Sequence, residues 1–346
     1  MSSASLSCSS RSQYFASRTI EGKVPKLKWI PIAPLGPKAA FHAGDVIKET
    51  LYVHGGLTDS SSVIPSNQFY RLDLKTNLWE KIRTKGSPAL SHHAAVVLED
   101  RYFVLIGGWD GKKRCASIHV YDTVEDHWQR MNHSGFPSGA GLSSHTACAL
   151  ENGDIVVIGR EGSLRSQRKH GNMYILSGTV TSGSFVYKEF HDNITSRSGH
   201  TSDVIGNSVF IVGGRSDLLL EKVVGLKSTA SPNCEILQNL LATINSIGME
   251  PMVKLPCGRK SHVSACGDSC ILIHGGETFD GKSHEPVGEM FLISFKPTTK
   301  FFKLNSSKLH RAGHVCVSLP DKVIFHGGKS GKSTINSNLY ELKLSR

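Results

Sequence analysis

Apolar runs along this chain end on a glycine pair, or close to one, at nearly even intervals. They are LYVHGG (51–56), FVLIGG (103–108), IVVIGR (155–160), VFIVGG (209–214), ILIHGG (271–276) and VIFHGG (323–328). Counted through Gly55, Gly107, Gly159, Gly213, Gly275 and Gly327, the spacings are 52, 52, 54, 62 and 52 residues. The runs are β-branched and apolar on both faces, which predicts strands covered on both sides. A histidine precedes each first glycine by 13 or 14 residues: His42, His93, His145, His200, His262 and His314. A third apolar strand follows the glycines, clearest as FYRLD (69–73), IHVYD (118–122) and LYELK (339–343). Six residues past Asp73 and Asp122 stand Trp79 and Trp128. Each period therefore predicts four short strands in one antiparallel sheet.

One such sheet cannot bury its own faces, so the copies must stack. A period of about 50 residues with strands running into glycine pairs predicts a β-propeller, all-β and six-bladed. Glycine after the second strand permits positive φ and close backbone approach. The tryptophans supply large buried surfaces between neighbouring blades. The last repeat reaches 338–346 before its tryptophan would fall, while LKWIPI (27–32), with Trp29, precedes the first histidine. This N-terminal strand is expected to complete the sixth blade and remove an exposed sheet edge. The expected organisation is a Ser-rich disordered tail over 1–26 and one ring domain over 27–346.

The repeat breaks in two places. The interval after Gly213 is the longest, and within it SPNCEILQNLLATINSIG (231–248) reads as a helix inserted in blade four. Ser231 is placed as N-cap, Pro232 at the first helical position and Gly248 at the stop. Ile236, Leu237, Leu240, Leu241, Ile244 and Ile247 form its apolar stripe. That stripe either packs on blade four or five in place of an outer strand, or docks a partner through Leu237, Leu240, Leu241 and Ile244. The third repeat carries Arg160 where the second glycine belongs, then a basic loop with Arg165, Arg168, Lys169 and His170. It lacks the tryptophan, and Phe185 or Tyr187 is its stand-in.

Charge adds little to this picture. Forty basic and 29 acidic residues give a net +11, and about +4 of it sits in the tail region. The longest basic run is Lys112-Lys113-Arg114. Dispersed charge of this size favours acidic partners, and without a recognition motif or basic–aromatic interleaving nucleic acid is not expected. No run is long and apolar enough to span a membrane, and the first residues lack a secretory core. Eight cysteines without an extracellular framework point to free thiols in the cytoplasm or nucleus.

Motifs for chemistry are missing. There is no P-loop, dinucleotide fingerprint or GxSxG elbow, so neither catalysis nor a cofactor is expected. Cys257, His262, Cys266 and Cys270 can be written as a zinc set, but His262 is the ordinary repeat histidine and CGDSC (266–270) reads as a hairpin.

Taken together, the six repeats resemble the kelch family across about 90% of the chain. The segments GGWDGKKR (107–114), GREGSLRSQRKHG (159–171), SRSGH (196–200) and HGGETF (274–279) look closer still to one member described as a partner of an A-type cyclin. The resemblance implies a monomeric protein-binding propeller with a protein or acidic peptide, such as that cyclin, as partner. In peptide-binding members the ligand sits over the channel, reached by two positions per repeat. One is the arginine of Arg-x-Gly-His, matched by Arg197 and Arg311, and by Arg259 in RKSH. The other follows the glycine pair: Leu57, Trp109, Arg215, Glu277 and Lys329, with Arg160 or Glu161 in the third repeat. Such an arginine either forks onto a carboxylate or bonds loop carbonyls between blades. The alternative function is substrate receptor of a cullin-type ubiquitin ligase, for which helix 231–248 is the one candidate recruiter.

Overall fold

The computed structural model describes residues 24–34, 36–159, 173–190, 194–214, 220–227, 233–279 and 285–345. The chain opens with β1 (Leu27–Pro31). It continues with β2 (Ala43–Ile47), β3 (Thr50–His54), β4 (Phe69–Asp73) and β5 (Leu78–Ile82), a sheet in sequential order. The next strands are β6 (Ala94–Leu98), β7 (Tyr102–Trp109), β8 (Arg114–Asp122) and β9 (His127–Ser134), then β10 (Thr146–Ala149), β11 (Ile155–Ile158), β12 (Met173–Thr179) and β13 (Ser184–Glu189). Each of these two sets is a sequential antiparallel meander. They merge into one eight-stranded sheet because the outer strands β13 and β9 pair in parallel, Ser184 opposite Asn132.

A three-stranded sheet follows: β14 (Thr201–Ile205), β15 (Ser208–Val212) and β16 (Leu220–Val224). After helix α1 (Glu235–Ser246) come β17 (Arg259–Lys260), β18 (Val263–Cys266), β19 (Cys270–His274), β20 (Glu277–Thr278), β21 (Met290–Ser294) and β22 (Lys300–Lys303). Here β18, β19, β21 and β22 make a four-stranded sheet, and β17 pairs with β20. The chain ends with β23 (Val315–Ser318), β24 (Val323–His326), β25 (Lys329–Ser330), β26 (Thr334–Ile335) and β27 (Leu339–Leu344).

The first strand joins the last sheet. β1 lies antiparallel to β27, with Trp29 opposite Leu342, in the order β1-β27-β24-β23. Pairing the two chain ends leaves no open edge there. The strands β2, β6, β10, β14, β18 and β23 each neighbour the next, and β23 neighbours β2. They form a closed circuit around a channel, so the arrangement is propeller-like.

Aromatic residues on outer strands reach back to the preceding sheet. Trp79 lies 5.1 Å from the His326 ring, Trp128 5.3 Å from His54, and Trp29 4.7 Å from His274. In β13 the same register is held by Tyr187, opposite Leu176, just as Trp79 is opposite Leu72. Its hydroxyl donates to the Ala116 carbonyl of the preceding strands at 3.1 Å. A smaller ring thus keeps the inter-sheet role and gains a hydrogen bond.

The helix departs from expectation in place and start. Ser231 and Pro232 lie outside the described residues, and the N-cap position is Cys234, which makes no side-chain cap bond. The Glu235 amide donates instead to Pro320 O at 2.8 Å. Gly248, at φ 62°, ends the helix as anticipated. The helix packs against β19 and β27, away from the three-stranded sheet it follows. Leu237, Leu240 and Ile244 are fully buried with Leu272, Val323, Phe325 and Leu342, and Leu241 is partly buried beside them. Blades fan apart outward, and the helix fills the wedge between two of them. A stripe spent on that core is not a docking surface.

Candidate functional site

The residue before each repeat histidine builds one mouth of the channel. Phe41 N–H donates to Gly313 O, Gly313 to Ser261, Ser261 to Gly199, Gly199 to Ser144, Ser144 to His92, and His92 back to Phe41, at 2.7–2.9 Å. The six amides close a girdle around the axis. Every member has positive φ, from 54° to 67°, which turns each N–H and C=O along the circle. That conformation strains the non-glycine members by about 1–3 kcal/mol each. The closed set of hydrogen bonds holds it.

A second tier sits just outside the girdle. Gly56 N–H donates to Leu90 O, Gly108 to Leu142, Gly214 to Arg259, Gly276 to Arg311 and Gly328 to Ala39, at 2.8–2.9 Å. Each second glycine therefore bonds the carbonyl three residues before the next sheet's histidine. The first glycine lies beneath the same carbonyl. A Cβ at Gly327, φ 69°, would stand 2.5 Å from Ala39 O and 2.9 Å from the His42 ring. The repeat spacing of histidine and glycines is thus the spacing of an inter-sheet clasp.

The histidines complete that clasp. His54 Nδ1 and His93 Nε2 are 3.0 Å apart, as are His326 with His42 and His274 with His314. Burial holds all the repeat histidines below their ordinary range, His262 at about 3 and His145 at about 4. They are neutral structural groups. The cysteine–histidine set falls apart in space. His262 bonds Thr201 Oγ1 at 3.3 Å, Cys266 Sγ faces Val204 O, and Cys270 Sγ faces Leu237 O. Among the described residues no three metal-type ligands gather.

The arginines behave differently from one another. Arg259 is 0% and Arg197 2% exposed. Arg259 donates to Gly275 O at 3.0 Å and to Glu289 Oε2 at 2.8 Å, its guanidinium 4.8 Å above Phe291. Arg197 donates to Gly213 O at 2.9 Å and pairs with Glu221. Both therefore support loops from within, and neither presents a free fork to a ligand. Where Glu289 stands before β21, the last sheet has Asn338, whose carbonyl meets Gly327 as that of Glu289 meets Gly275. Arg311 accordingly has no acidic partner among the described residues, is half-buried, and donates to His310 O at 3.0 Å. Burial lowers its pKa.

Residues after the glycine pairs flank the girdle through short bridges. Leu57 pairs with Ala40, Trp109 with Ser91 and Lys329 with Ala312. Glu277 is buried and takes both Lys260, at 3.2 Å, and Lys329. Lys329 also lies 5.9 Å over the Phe41 ring. Much of the positive charge near the axis is therefore neutralised internally. Arg160, Arg165, Arg168 and Arg215 lie outside the described residues.

Three cavities bear on the site. The depression at the girdle measures about 110 Å³. The channel behind it, walled by Asp45, Cys148, Ser202, Asp203, Ser264 and Cys316, measures about 560 Å³. A third, off the axis beside β7–β9, measures about 1170 Å³ and is lined by Lys112, Lys113, Arg114, Arg130, Trp109 and Phe136. Sequence reasoning missed this last site, although its Lys112–Arg114 run was the densest basic stretch available.

Comparison with known proteins gives a consistent picture. Residues 13–217 match the family model described as the KLHDC2/KLHL20/DRC7 Kelch-repeats domain. The chain is 28% identical over 318 residues to Kelch domain-containing protein 9 of Mus musculus, covering 87% of this chain and 90% of that protein. The Homo sapiens protein of the same name is 27% identical over 319 residues, with the same coverage. The solved structure of YjhT aligns at a TM-score of 0.62 with 13% identity, covering 92% of this chain and 99% of that one, a likeness of fold alone.

Proposed function

Because the chain belongs to the kelch-repeat family, we propose that it is a non-enzymatic protein-interaction module: a six-bladed propeller spanning 27–346 whose girdled face receives a partner. The eight-stranded sheet counts as two blades in this reading, and the three-stranded sheet as one. The observation that carries it is the closed girdle of amides around the axis. It holds the loops in one conformation, and a face fixed before binding loses little entropy on binding. Its buried arginines and histidines are committed to the fold, so they offer no acid–base pair for catalysis. Contacts fall to side chains that remain reachable, Trp109, Arg311 and Lys329, with Arg160 and Arg215 added by repeat register and Arg165 and Arg168 by the basic loop of the third repeat.

The partner implied by the resemblance is an A-type cyclin, met in the cytoplasm or nucleus. Among the described residues no helix is long and apolar enough to cross a membrane. The ligase-receptor reading rested on the helix, and the burial of Leu237, Leu240 and Ile244 leaves it without that recruiter. Size-exclusion chromatography of the purified chain with a purified A-type cyclin, and separately with an elongin–cullin assembly, tests both. A stoichiometric cyclin complex is expected. Co-elution with elongin–cullin alone would replace this reading by the receptor role, and co-elution with neither removes both partners.

A further inference from the structure

The girdle depression, at about 110 Å³, is too small for a side chain and its backbone. Ligand sites usually enclose about 300–1,000 Å³. The channel of about 560 Å³ lies behind that depression, whereas the off-axis cleft, at about 1170 Å³, is larger than both and has room for a segment of a partner chain. We propose that this cleft, between the β6–β9 and β10–β13 halves of the eight-stranded sheet, binds an acidic segment of a partner protein that also carries an apolar anchor. The inference rests on the protein-interaction reading and moves its contact site away from the axis.

The cleft has a positive wall. Asp110 sits in the β7–β8 turn, where its carboxylate accepts the amides of Lys112 and Lys113 at 2.8 Å each. That fixes the turn and engages the one acid that lines the cleft among the described residues. The side chains of Lys112, Lys113 and Arg114 are exposed above it, and Arg130 projects from β9 below. Lys112, Lys113 and Arg130 form no ion pair among the described residues. This sets them apart from Lys329 and Arg259, which are neutralised by Glu277 and Glu289. His119, lowered to about 4 by burial and by Arg130, stays neutral and adds no charge to the wall.

The other walls are apolar and rigid. Phe136 is wedged 5.0 Å from both Tyr174 and Tyr187. The parallel β9–β13 pairing and the Tyr187–Ala116 hydrogen bond lock the two halves of the eight-stranded sheet together beside the cleft. At the rim, Trp109 Nε1 donates to Val63 O at 3.1 Å, and Val63 and Ile64 are 69% and 73% exposed. Basic wall, aromatic wall and aliphatic shoulder meet in one preformed groove, and opposite charge with apolar anchors is what such a groove favours.

Charge selects the occupant. The chain's own N-terminal segment carries Arg11, Arg18 and Lys23 against Glu21, the wrong sign for this wall. A nucleic acid would use the cations but gain nothing from the Val63–Ile64 shoulder, and single-strand binders lay their cations along a track rather than in one cleft.

Fluorescence anisotropy of the full chain tests this with three labelled probes: a short Glu/Asp-rich peptide containing Leu and Trp, its Gln/Asn counterpart, and an oligothymidylate of matched charge. The acidic peptide should bind most tightly. Lys113→Glu with Arg130→Glu should weaken it by about tenfold or more, since charge contacts are reversed. Trp109→Ala should weaken it without changing its salt dependence. Lys343→Glu, on the far β27 strand, should leave it unchanged. Melting curves of all variants exclude unfolding as the cause, and because Lys113 and Arg130 are exposed no loss of folding is expected. The proposal is overturned if the acidic peptide fails to bind, if the charge reversal has no effect, or if the oligonucleotide binds as tightly and is lost with the same variant. A cyclin complex that survives the Lys113/Arg130 reversal would discard this cleft while leaving the interaction module standing.

Discussion

His54 and His93 touch ring to ring, Nδ1 to Nε2 at 3.0 Å, across the boundary between the first and second sheets. Trp128 covers His54 from the same second sheet, at 5.3 Å. The arrangement recurs as Trp79 with His326–His42 and Trp29 with His274–His314. One hydrogen bond between two neutral imidazoles thus joins neighbouring sheets, and a proton on both rings would break it.

Acid should therefore unfold the ring early. His54 and His274 are held at about 3, and His326 at about 4, mainly by burial. A base whose folded pKa is depressed gives stability that is present above the unfolded value, near about 6.5, and lost as pH falls toward the folded one. Each such histidine can contribute a slope of about 1.4 kcal/mol per pH unit in that window. The melting temperature should fall steeply between pH 7 and pH 5. A flat profile there would show that the histidines do not sit neutral in the fold.

Asp45 should act with the opposite sign. Burial in the channel wall raises its pKa to about 6. Its charge is a penalty above that pH, relieved as pH falls through 6 toward the unfolded carboxylate value. Asp45→Asn keeps an acceptor for the Val46 amide, now at 2.7 Å. The variant should melt higher than the parent at pH 7.5, with the gain shrinking by pH 5. Equal gain at both pH values would assign the effect to something other than the charge.

Closure by the first strand predicts a sharp truncation boundary. Removing 1–26 leaves the β1–β27 pairing intact, whereas removing 1–33 deletes β1 and Trp29. The shorter truncation should melt like the full chain and the longer one far below it. Trp29→Ala alone should cost about 3 kcal/mol in urea unfolding. If the two truncations melt together, β1 is dispensable to the ring.

The helix and the arginines separate packing from display. Leu240→Ala should lose about 2–5 kcal/mol, because Leu240 is fully buried, and Leu241→Ala less. Equal, negligible losses in chemical denaturation would return the stripe to solvent.

Arg259→Ala should cost about 2–4 kcal/mol, somewhat under a fully buried pair. Glu289 is 30% exposed and retains Lys303 at 3.5 Å. Arg311→Ala, with no acid to strand, should cost less than about 1 kcal/mol. Denaturant midpoints decide this, and a larger loss at Arg311 would reverse the assignment of the two roles.

The repeat alone determined the inner strands of each period, the clasp residues and the closing partner of β1, but not that the fourth period's sheet has three strands among the described residues. Glycine pairs, histidines and tryptophans recur because each meets the same inter-sheet geometry, so periodicity carries them into the sequence. A ring at the tryptophan's register was legible for the same reason, as Phe185 or Tyr187, and the pairing of β12 with β13 selects Tyr187. The site was not legible. Arg197, Arg259 and Arg311 share one sequence register, yet only the start of each sheet's third strand decides whether a glutamate is there to meet the guanidinium, as Glu221 and Glu289 are, or Asn338 stands in that place. The helical stripe was plain, but which wedge it would fill depended on how β19 and β27 diverge. The basic cleft joins residues from β7, β8, β9 and the 136–141 loop, which come together only where β9 also pairs in parallel with β13. Repetition encodes the contacts every blade makes; only the assembled ring sets the contacts that a single pair of blades makes once.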